Sequence, residues 1–567
     1  MSFEFCGLRG VRARDPLAEN HLTTTLRPLS PEELAPLLRG IGAGEAKLIL
    51  RRRWVDISPG PQCPDTPRAA AVDAASAARA RRAGRQVCRR IGWEELCRAV
   101  EDAAGRQLAE DAAFALARKR PRASALRRLT PAQGLIFALL ALGAVGLGVA
   151  APRGLGLALF GLFSVLFLAM AALRLQSLFT PLPKVPRRRL GEEELPFYSV
   201  LVPVYRETGV LRQLVAALGR LDYPADRLEI LIICEADDRA VLNMLEAMEL
   251  SAPFRLVRVP EQAPRTKPKA LNHALHFVRG ELLTIYDAED IPEPGQLRAA
   301  AEAFAAAPPD VACLQARLAW YNAGESWISR MMAVEYAGHF EAVLPTMARM
   351  AMPLPLGGTS NHFRVAALRA AGGWDPHNVT EDADLGFRLA RAGFRAGVLD
   401  STTWEEACTT WRAWRAQRAR WIKGWLQTWL VQMRAPLRFW RETGWRGAFA
   451  LHALMGAGVM AALAHPFFVA WTLWELLPPQ QAGGLLWHVQ TSTSATVLAA
   501  GYGAAMTSAA LGLHRRGMPG LWPWVLTLPA WWLLISAAAW LALWDFLLRP
   551  HHWRKTEHGL SAFLRGK

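Results

Sequence analysis

Residues 198–238 read YSVLVPVYRETGVLRQLVAALGRLDYPADRLEILIICEADD. Tyr198 to Tyr205 is a short apolar run of the right length for a buried strand, and Glu229 to Cys234 is a second. Between them, Gly209 to Leu221 spaces its apolar residues as a helix does. Further on, Leu242 to Leu250 is helical again, and Leu256 to Val259 and Glu281 to Tyr286 fit two more strands. Alternation of strand and helix predicts an α/β domain, a mostly parallel sheet with helices on both faces. Such sheets bind ligands beyond the carboxyl ends of their strands. Polar residues stand at just those ends: Tyr205-Arg206-Glu207, Glu235-Ala236-Asp237-Asp238 and Asp287-Ala288-Glu289-Asp290.

Outward from this domain the chain turns apolar. Gly134 to Ala150 and Leu155 to Leu178 predict a transmembrane hairpin over residues 133–179, with arginines at both outer ends. Ala448 to Leu477, Ser494 to Leu513 and Leu521 to Leu548 predict further spans over 448–548. Residues 185–408 then form one cytoplasmic domain, and 409–434 an amphipathic interfacial helix. The loop from Pro478 to Ser492 lacks Lys and Arg and should face outside, while the basic tail 549–567 should face inside. Three simple crossings cannot satisfy both, so either Pro466 or Pro529 breaks a run or the tail is an exception to the charge rule; an even count is the expectation. Residues 1–125, rich in Ala and Arg, read as a small, mostly helical cytosolic region without an assigned role. Met1 to Thr25 lacks the apolar core of a cleavable signal.

The net charge of +17 admits nucleic acid, anionic lipid or a phosphorylated substrate as partner. Its distribution decides against nucleic acid. Arg118-Lys119-Arg120, Arg127-Arg128, Arg187-Arg188-Arg189 and Arg515-Arg516 each flank an apolar run, and no reading helix or zinc module is present. Seven cysteines without a CxxC pair exclude a disulfide framework and fit reduced thiols. Arg51-Arg52-Arg53 before Asp56-Ile57-Ser58-Pro59-Gly60 resembles a cyclic-dinucleotide pattern of arginines and DxSxxG. Its glycine falls one residue early and the arginine spacing differs, so it reads as a solvated turn.

Asp287 and Glu289, two residues apart at a strand end, can face one hard cation such as Mg²⁺ or Mn²⁺, or be an acidic solvated loop. Lys267 and Lys269 could neutralise a diphosphate and Asn272 could hold a ribose, or the segment is an exposed loop entering a helix. Gly357-Gly358-Thr359-Ser360-Asn361-His362 permits close approach of backbone to a ligand, or is a turn without function. Trp374 is either a stacking face for a sugar ring or a core anchor. Thr380-Glu381-Asp382 opens a helix and could cap it, yet a carboxylate there can still point into a cleft. On a wheel of the helix Thr409 to Met433, Trp411, Trp414, Trp421, Trp425 and Trp429 share one arc, with Gln417 and Arg420 beside or opposite it. The tryptophans are expected in the headgroup layer, Arg415 and Arg418 snorkelling from their side, and Gln417 and Arg420 turned to the domain.

In order, Val202-Pro203-Val204-Tyr205-Arg206-Glu207, Asp287-Ala288-Glu289, Thr380-Glu381-Asp382 and Gln417-Arg418-Ala419-Arg420-Trp421 (QxxRW) resemble the family 2 glycosyltransferases. The likeness is to their membrane-integrated, cellulose-synthase-like branch, over about Arg187 to Trp429. It implies a GT-A type nucleotide-sugar transferase domain inserted between transmembrane helices. It further implies Asp287 and Glu289 on a divalent metal, the glutamate replacing the more usual aspartate. Asp382 would be the general base, with Glu381 beside it. Pro203, Tyr205, Glu207, Glu235, Asp238, Lys267, Lys269, Asn272 and Arg420 would bind the donor, a UDP-sugar being favoured. Trp374, Asp382, Gln417 and Trp421 would bind the acceptor.

The expected activity is therefore inverting transfer from a nucleotide-diphosphate sugar to a growing exported polysaccharide, processive and coupled to translocation. The expected setting is a bacterial inner membrane, among lipids and export-machinery proteins. Single transfer to a lipid-linked acceptor is the alternative. A catalytically dead scaffold or ligand sensor is the rival from another class, opposed by the intact acidic and QxxRW residues.

Overall fold

A computed structural model describes residues 26–57, 68–182, 186–476 and 485–550. Ser58 to Gly60 of the arginine-linked turn, residues 478–484 of the 478–492 loop and the tail beyond Pro550 lie outside these residues. The chain divides into two compact units, one of residues 1–111 with 275–277 and the other of the remainder. The first holds a three-stranded sheet, Trp54–Ile57, Arg68–Ala71 and Gln86–Arg90, among the helices Pro31–Leu37, Ala43–Arg52 and Ala74–Arg82. The sheet escapes a reading by composition, because the alanines of Arg68–Ala71 favour helix and only their pairing on two short neighbours makes them a strand.

In the second unit eight strands form one sheet: β1 (Tyr198–Val204), β2 (Leu228–Glu235), β3 (Phe254–Val259), β4 (Leu282–Ile285), β5 (Ile291–Pro292), β6 (Val311–Trp320), β7 (Asn361–Arg364) and β8 (Arg395–Glu405). Their order is β3-β2-β1-β4-β7-β6-β8-β5. β3, β2, β1 and β4 run parallel, as the alternation with helices predicts. β7 is antiparallel to both β4 and β6, β8 is parallel to β6, and β5 is antiparallel to β8. The sheet is mixed but mostly parallel, as expected: six strands share one direction, and β7 and β5 run against them. Apolar runs reveal that a strand exists and is covered; they do not carry its direction.

Every residue of β2 is buried, as an apolar run covered on both faces requires. Val200, Val202 and Val204 of β1 share a core with Ile230, Ile232 and Cys234 of β2. Leu211, Leu214 and Leu218 of the helix Leu211–Leu218 and Val241, Leu242 and Leu245 of Arg239–Ala247 close over it. At about 25 cal/mol per Å² of apolar surface removed from water, this packing is the main force holding the strand ends in register.

Five helices among the described residues are long and apolar enough to cross a membrane: Pro131–Ala150, Pro152–Leu178, Pro436–Trp474, Ser492–Arg516 and Leu528–Leu548. Two precede the sheet and three follow it. Neither proline divides a run, so the break expected to give an even count after the domain is not found among the described residues. Pro466 sits inside the helix Ala457–Leu476, and Pro529 occupies the first turn of Leu528–Leu548, where its missing N–H is tolerated.

Candidate active site

β1, β2 and β4 end side by side, and the chain beyond each carries a polar residue to one place. A cavity of about 600 Å³ is lined there by Pro203, Tyr205, Glu207, Glu235, Lys267, Asp287 and Glu289. From the other side come Glu381 and Asp382, and from the helix Trp411–Gln432 come Gln417, Arg420 and Trp421. Twelve of the residues singled out in the sequence thus share one cavity.

Gly358 marks its centre. A β-carbon on Gly358 would stand 3.4 Å from Asp382 Oδ2, 3.9 Å from Lys267 Nζ and 4.0 Å from Asp287 Oδ2. Glycine leaves this space open to a ligand reaching both carboxylates. The Lys267 ammonium donates to Asp287 and to the Gly358 carbonyl, 2.8 Å away. Burial works against its charge, but Asp287, Glu381 and Asp382 together raise its pKa.

The carboxylates crowd one another. Burial and the charge of Asp287 push Glu289 up to about 8, and burial with Asp287 and Glu289 drives Asp290 well above its ordinary value. Glu405, at the end of β8, is driven up by burial and by Asp290, Glu289 and Asp287. Asp290 Oδ1 and Glu405 Oε1 are buried without a hydrogen-bond partner. Such a set fits a divalent cation, whose charge would relieve the repulsion. No three His, Cys, Asp or Glu side chains among the described residues converge on one ion. That suits a cation shared between one or two carboxylates and phosphate oxygens.

Glu381 is pushed up to about 8 by burial and by Asp382. Asp382 rises only to about 6, because burial is opposed by the Ala383 N–H, Lys267 and Arg420. The Ala383 N–H donates to Asp382 Oδ1 at 2.7 Å. Thr380 occupies the cap position of the helix Glu381–Arg391, yet its hydroxyl caps nothing and is buried unbonded. It packs instead on Gly424, where a β-carbon would lie 2.2 Å from Thr380 Oγ1. Around this contact the two helices are stitched together. Asn378 donates to Thr428 at 2.9 Å, the Val379 N–H to Gln427 Oε1 at 3.1 Å, and Gln432 to Asp384 Oδ1 at 3.1 Å. Gln417 and Arg420 are thereby held beside Asp382, and Gln417 Oε1 is buried and unbonded.

Four expected ligand contacts do not reach the cavity. Lys269 has 0% of its side chain exposed and pairs with Glu235 at 2.7 Å, so it orients that carboxylate rather than meeting a diphosphate. Asp238 caps the helix Arg239–Ala247 and accepts from the Arg206 N–H. Asn272 bonds the Ala112 carbonyl and both backbone groups of Trp374. Trp374 is 2% exposed and packs edge-on to Phe363, a core anchor rather than a sugar platform.

The tryptophan arc also differs from expectation. Trp414 is fully buried with its ring 4.4 Å from that of Trp531, Trp421 stacks 6.2 Å from Tyr336, and Trp429 donates to His452. Trp414, Trp421 and Trp429 thus pack on neighbouring helices, while Trp411 is exposed. Arg418 does not snorkel; it grips Glu335 through two bonds of 2.8 and 2.5 Å. Gly358, expected in a loop that lets backbone approach a ligand, lines the cavity, as do Glu405 and Arg174, which sequence reasoning missed. A carboxylate at a strand's carboxyl end was the available signal for Glu405.

Residues 196–424 match the family model described as "Glycosyltransferase like family 2". "Probable glycosyltransferase YdaM" of Bacillus subtilis is 26% identical over 42% of this chain and 58% of its own length. "Glucomannan 4-beta-mannosyltransferase 2" of Arabidopsis thaliana is 29% identical over 41% of this chain and 45% of its own. The chain spans about half the length of the curated relatives it matches. Among solved structures, "Mannosyltransferase PcManGT from Pyrobaculum calidifontis in complex with GDP-Man and Mn2+" covers 68% of this chain and 99% of its own, at 20% identity and a TM-score of 0.42.

Proposed function

We propose that this chain, which carries a family 2 glycosyltransferase domain of GT-A type, is a membrane-bound hexosyltransferase. It transfers a sugar from a nucleotide diphosphate to a growing cell-surface polysaccharide, with inversion at the anomeric carbon, in a bacterial inner membrane. Relatives named as glucomannan mannosyltransferases support a hexose. One observation carries the reading: the cavity that holds Asp287 and Asp382 is also lined by Phe167, Val459 and Trp532 of the apolar helices. The acidic residues and the apolar helices therefore border one space, which supports transfer at the membrane.

In this reading Tyr205, Glu207 and Glu235 face the nucleoside, Glu235 aimed by Lys269. Asp287 and Glu289 would hold a divalent cation, which supplies positive charge against the donor's diphosphate. Lys267 and Arg420 add their own charge there. Asp382 takes the proton of the acceptor hydroxyl as its oxygen attacks the anomeric carbon; the carbon–phosphate oxygen bond breaks and the nucleoside diphosphate leaves on the opposite face. A base with a pKa of about 6 is ionised at neutral pH and still basic enough to accept that proton. Gln417 and Trp421 orient the acceptor.

The test is turnover of labelled UDP- and GDP-hexoses by the full chain in detergent, with product length resolved. Long products from the first percent of conversion are expected, and Asp382→Asn should lower turnover at least about 10²-fold with unchanged nucleotide binding. Full activity in that variant sinks the assigned base. One sugar per acceptor refutes processivity and leaves single transfer to a lipid-linked acceptor, the second reading that the aliphatic lining beyond Trp421 favours.

A further inference from the structure

Arg174 lies in the apolar helix Pro152–Leu178, four residues before its end, and its side chain lines the cavity rather than the outer surface of the helix. Among the described residues its guanidinium makes no hydrogen bond and no ion pair. Its one neighbour of note is the ring of Trp532, 5.3 Å from the guanidinium carbon. An arginine in a membrane helix is costly unless something inside the bundle uses it. Snorkelling to headgroups does not account for this one, because it points inward.

The adjoining charges do not use it either. Glu335 is the nearby carboxylate, but both its oxygens are taken by Arg418, and Oε2 also accepts from Trp531 Nε1 at 3.1 Å. His339, buried in the same wall, is neutral: burial pushes it down to about 4. Arg174, Arg418, Glu335 and His339 together leave one positive charge over. On the active-site side of Arg174 stand Trp421 and Gln417. The lining contributed by the apolar helices is mostly Phe167, Met170, Leu173, Val459, Leu528 and Ile535, with His465 and Ser508 as its polar members. Aliphatic side chains suit a hydrocarbon chain better than a sugar polymer, whose hydroxyls would lose water there without partners.

We propose that Arg174 is an anion-binding subsite that receives the phosphate head of a long-chain lipid carrier, whose hydrocarbon lies along the membrane limb of the cavity. The lipid's head, or a sugar borne on it, is then presented to Asp382 as acceptor or primer. This rests on the glycosyltransferase reading for its role, and on Arg174 and the lining for the site itself.

The test is binding by the full chain in lipid nanodiscs of three probes: a polyisoprenyl phosphate, the same polyisoprenol without phosphate, and a glucuronic acid oligosaccharide. The wild type should prefer the phosphate to the alcohol. Arg174→Gln should weaken phosphate binding about 10- to 100-fold, as loss of charge-assisted hydrogen bonds does, leave alcohol binding equal to wild type, and be partly rescued in Arg174→Lys. Binding of nucleoside diphosphate on the same samples reports that the variants are folded. If Arg174→Gln does not fold, the wild-type comparison of phosphate with alcohol decides alone. No preference for phosphate, equal phosphate binding by wild type and Arg174→Gln, or an Arg174-dependent loss confined to the acidic oligosaccharide each overturns the proposal. Arg174-dependent phosphate binding without turnover of any nucleotide sugar would sink the transferase reading and leave the subsite standing.

Discussion

Gly424→Ala sets two effects of opposite sign against each other. Alanine is the better helix former by about 1 kcal/mol, so in an ordinary helix interior the change stabilises. At position 424 the new β-carbon would stand 2.2 Å from Thr380 Oγ1, 2.5 Å from Cγ2 and 2.7 Å from Cβ. Rotating Thr380 clears the first two atoms but not the third, which is fixed to the backbone. Carbon atoms rest about 3.5–4.0 Å apart, so helix and loop must separate by roughly 1 Å. Overpacking of this kind costs about 1–3 kcal/mol, which outweighs the helix gain and leaves a net loss of up to about 2 kcal/mol.

Function should suffer more than stability. Gln417 and Arg420 precede Gly424 by two turns and one turn of the helix Trp411–Gln432, while Asp382 follows Thr380 by two residues. Separating Gly424 from Thr380 therefore separates the acceptor side of the cavity from its base. A misplacement of about 1 Å costs on the order of 10²-fold in turnover. Steady-state kinetics of the full chain in detergent should show kcat reduced by about that factor. Adding Thr380→Ala removes two of the three clashing atoms and should restore part of kcat. Wild-type kcat with an unchanged Tm in Gly424→Ala would refute the claim that this contact sets the geometry.

Other consequences are more direct. Asp382 must be ionised to act as base, so kcat/KM should fall as pH drops through about 6; a profile flat from pH 5 to pH 8 contradicts the assignment. Glu289 and Glu381 carry pKa values of about 8 in the fold, above the ordinary 4.5. The folded state thus holds protons that the unfolded chain releases, and this stability, full below pH 4.5, is lost as pH rises through 8. Tm measured against pH should decline across that window, less steeply with Mn²⁺ and nucleoside diphosphate present. Gly358→Ala places a methyl group at contact distance from Asp382 and Asp287, so Tm should hold while donor KM rises about tenfold or more. Trp374→Ala should cost about 3–5 kcal/mol as a core truncation, whereas Trp374→Phe should leave acceptor KM at its wild-type value.

What the sequence made legible follows from what each residue is asked to do. β1, β2 and β4 are mostly apolar because both faces are covered, and their ends announce the polar residues that line the cavity. β6 and β8 each mix polar with apolar residues along their length, and β7 is only four residues long, so their composition does not separate them from loop. Lys267 and Lys269 look alike on the page. Only the turn of the helix Lys267–Ala274 decides that one meets Asp287 and the other is sealed against Glu235. A tryptophan needed as a platform and one needed as ballast are the same letter, which is why Trp374 and Trp421 could not be told apart. Thr380-Glu381-Asp382 carried a capping pattern, and the unbonded Thr380 hydroxyl shows that a close approach to glycine took its place. Arg174 is the sharpest case. Four residues from the end of an apolar helix, an arginine reads as a headgroup contact whenever its face is unknown. The fold turns that face inward beside Trp532 and gives Glu335 to Arg418 instead, so a charge that looked like membrane anchoring becomes a charge left over inside the cavity.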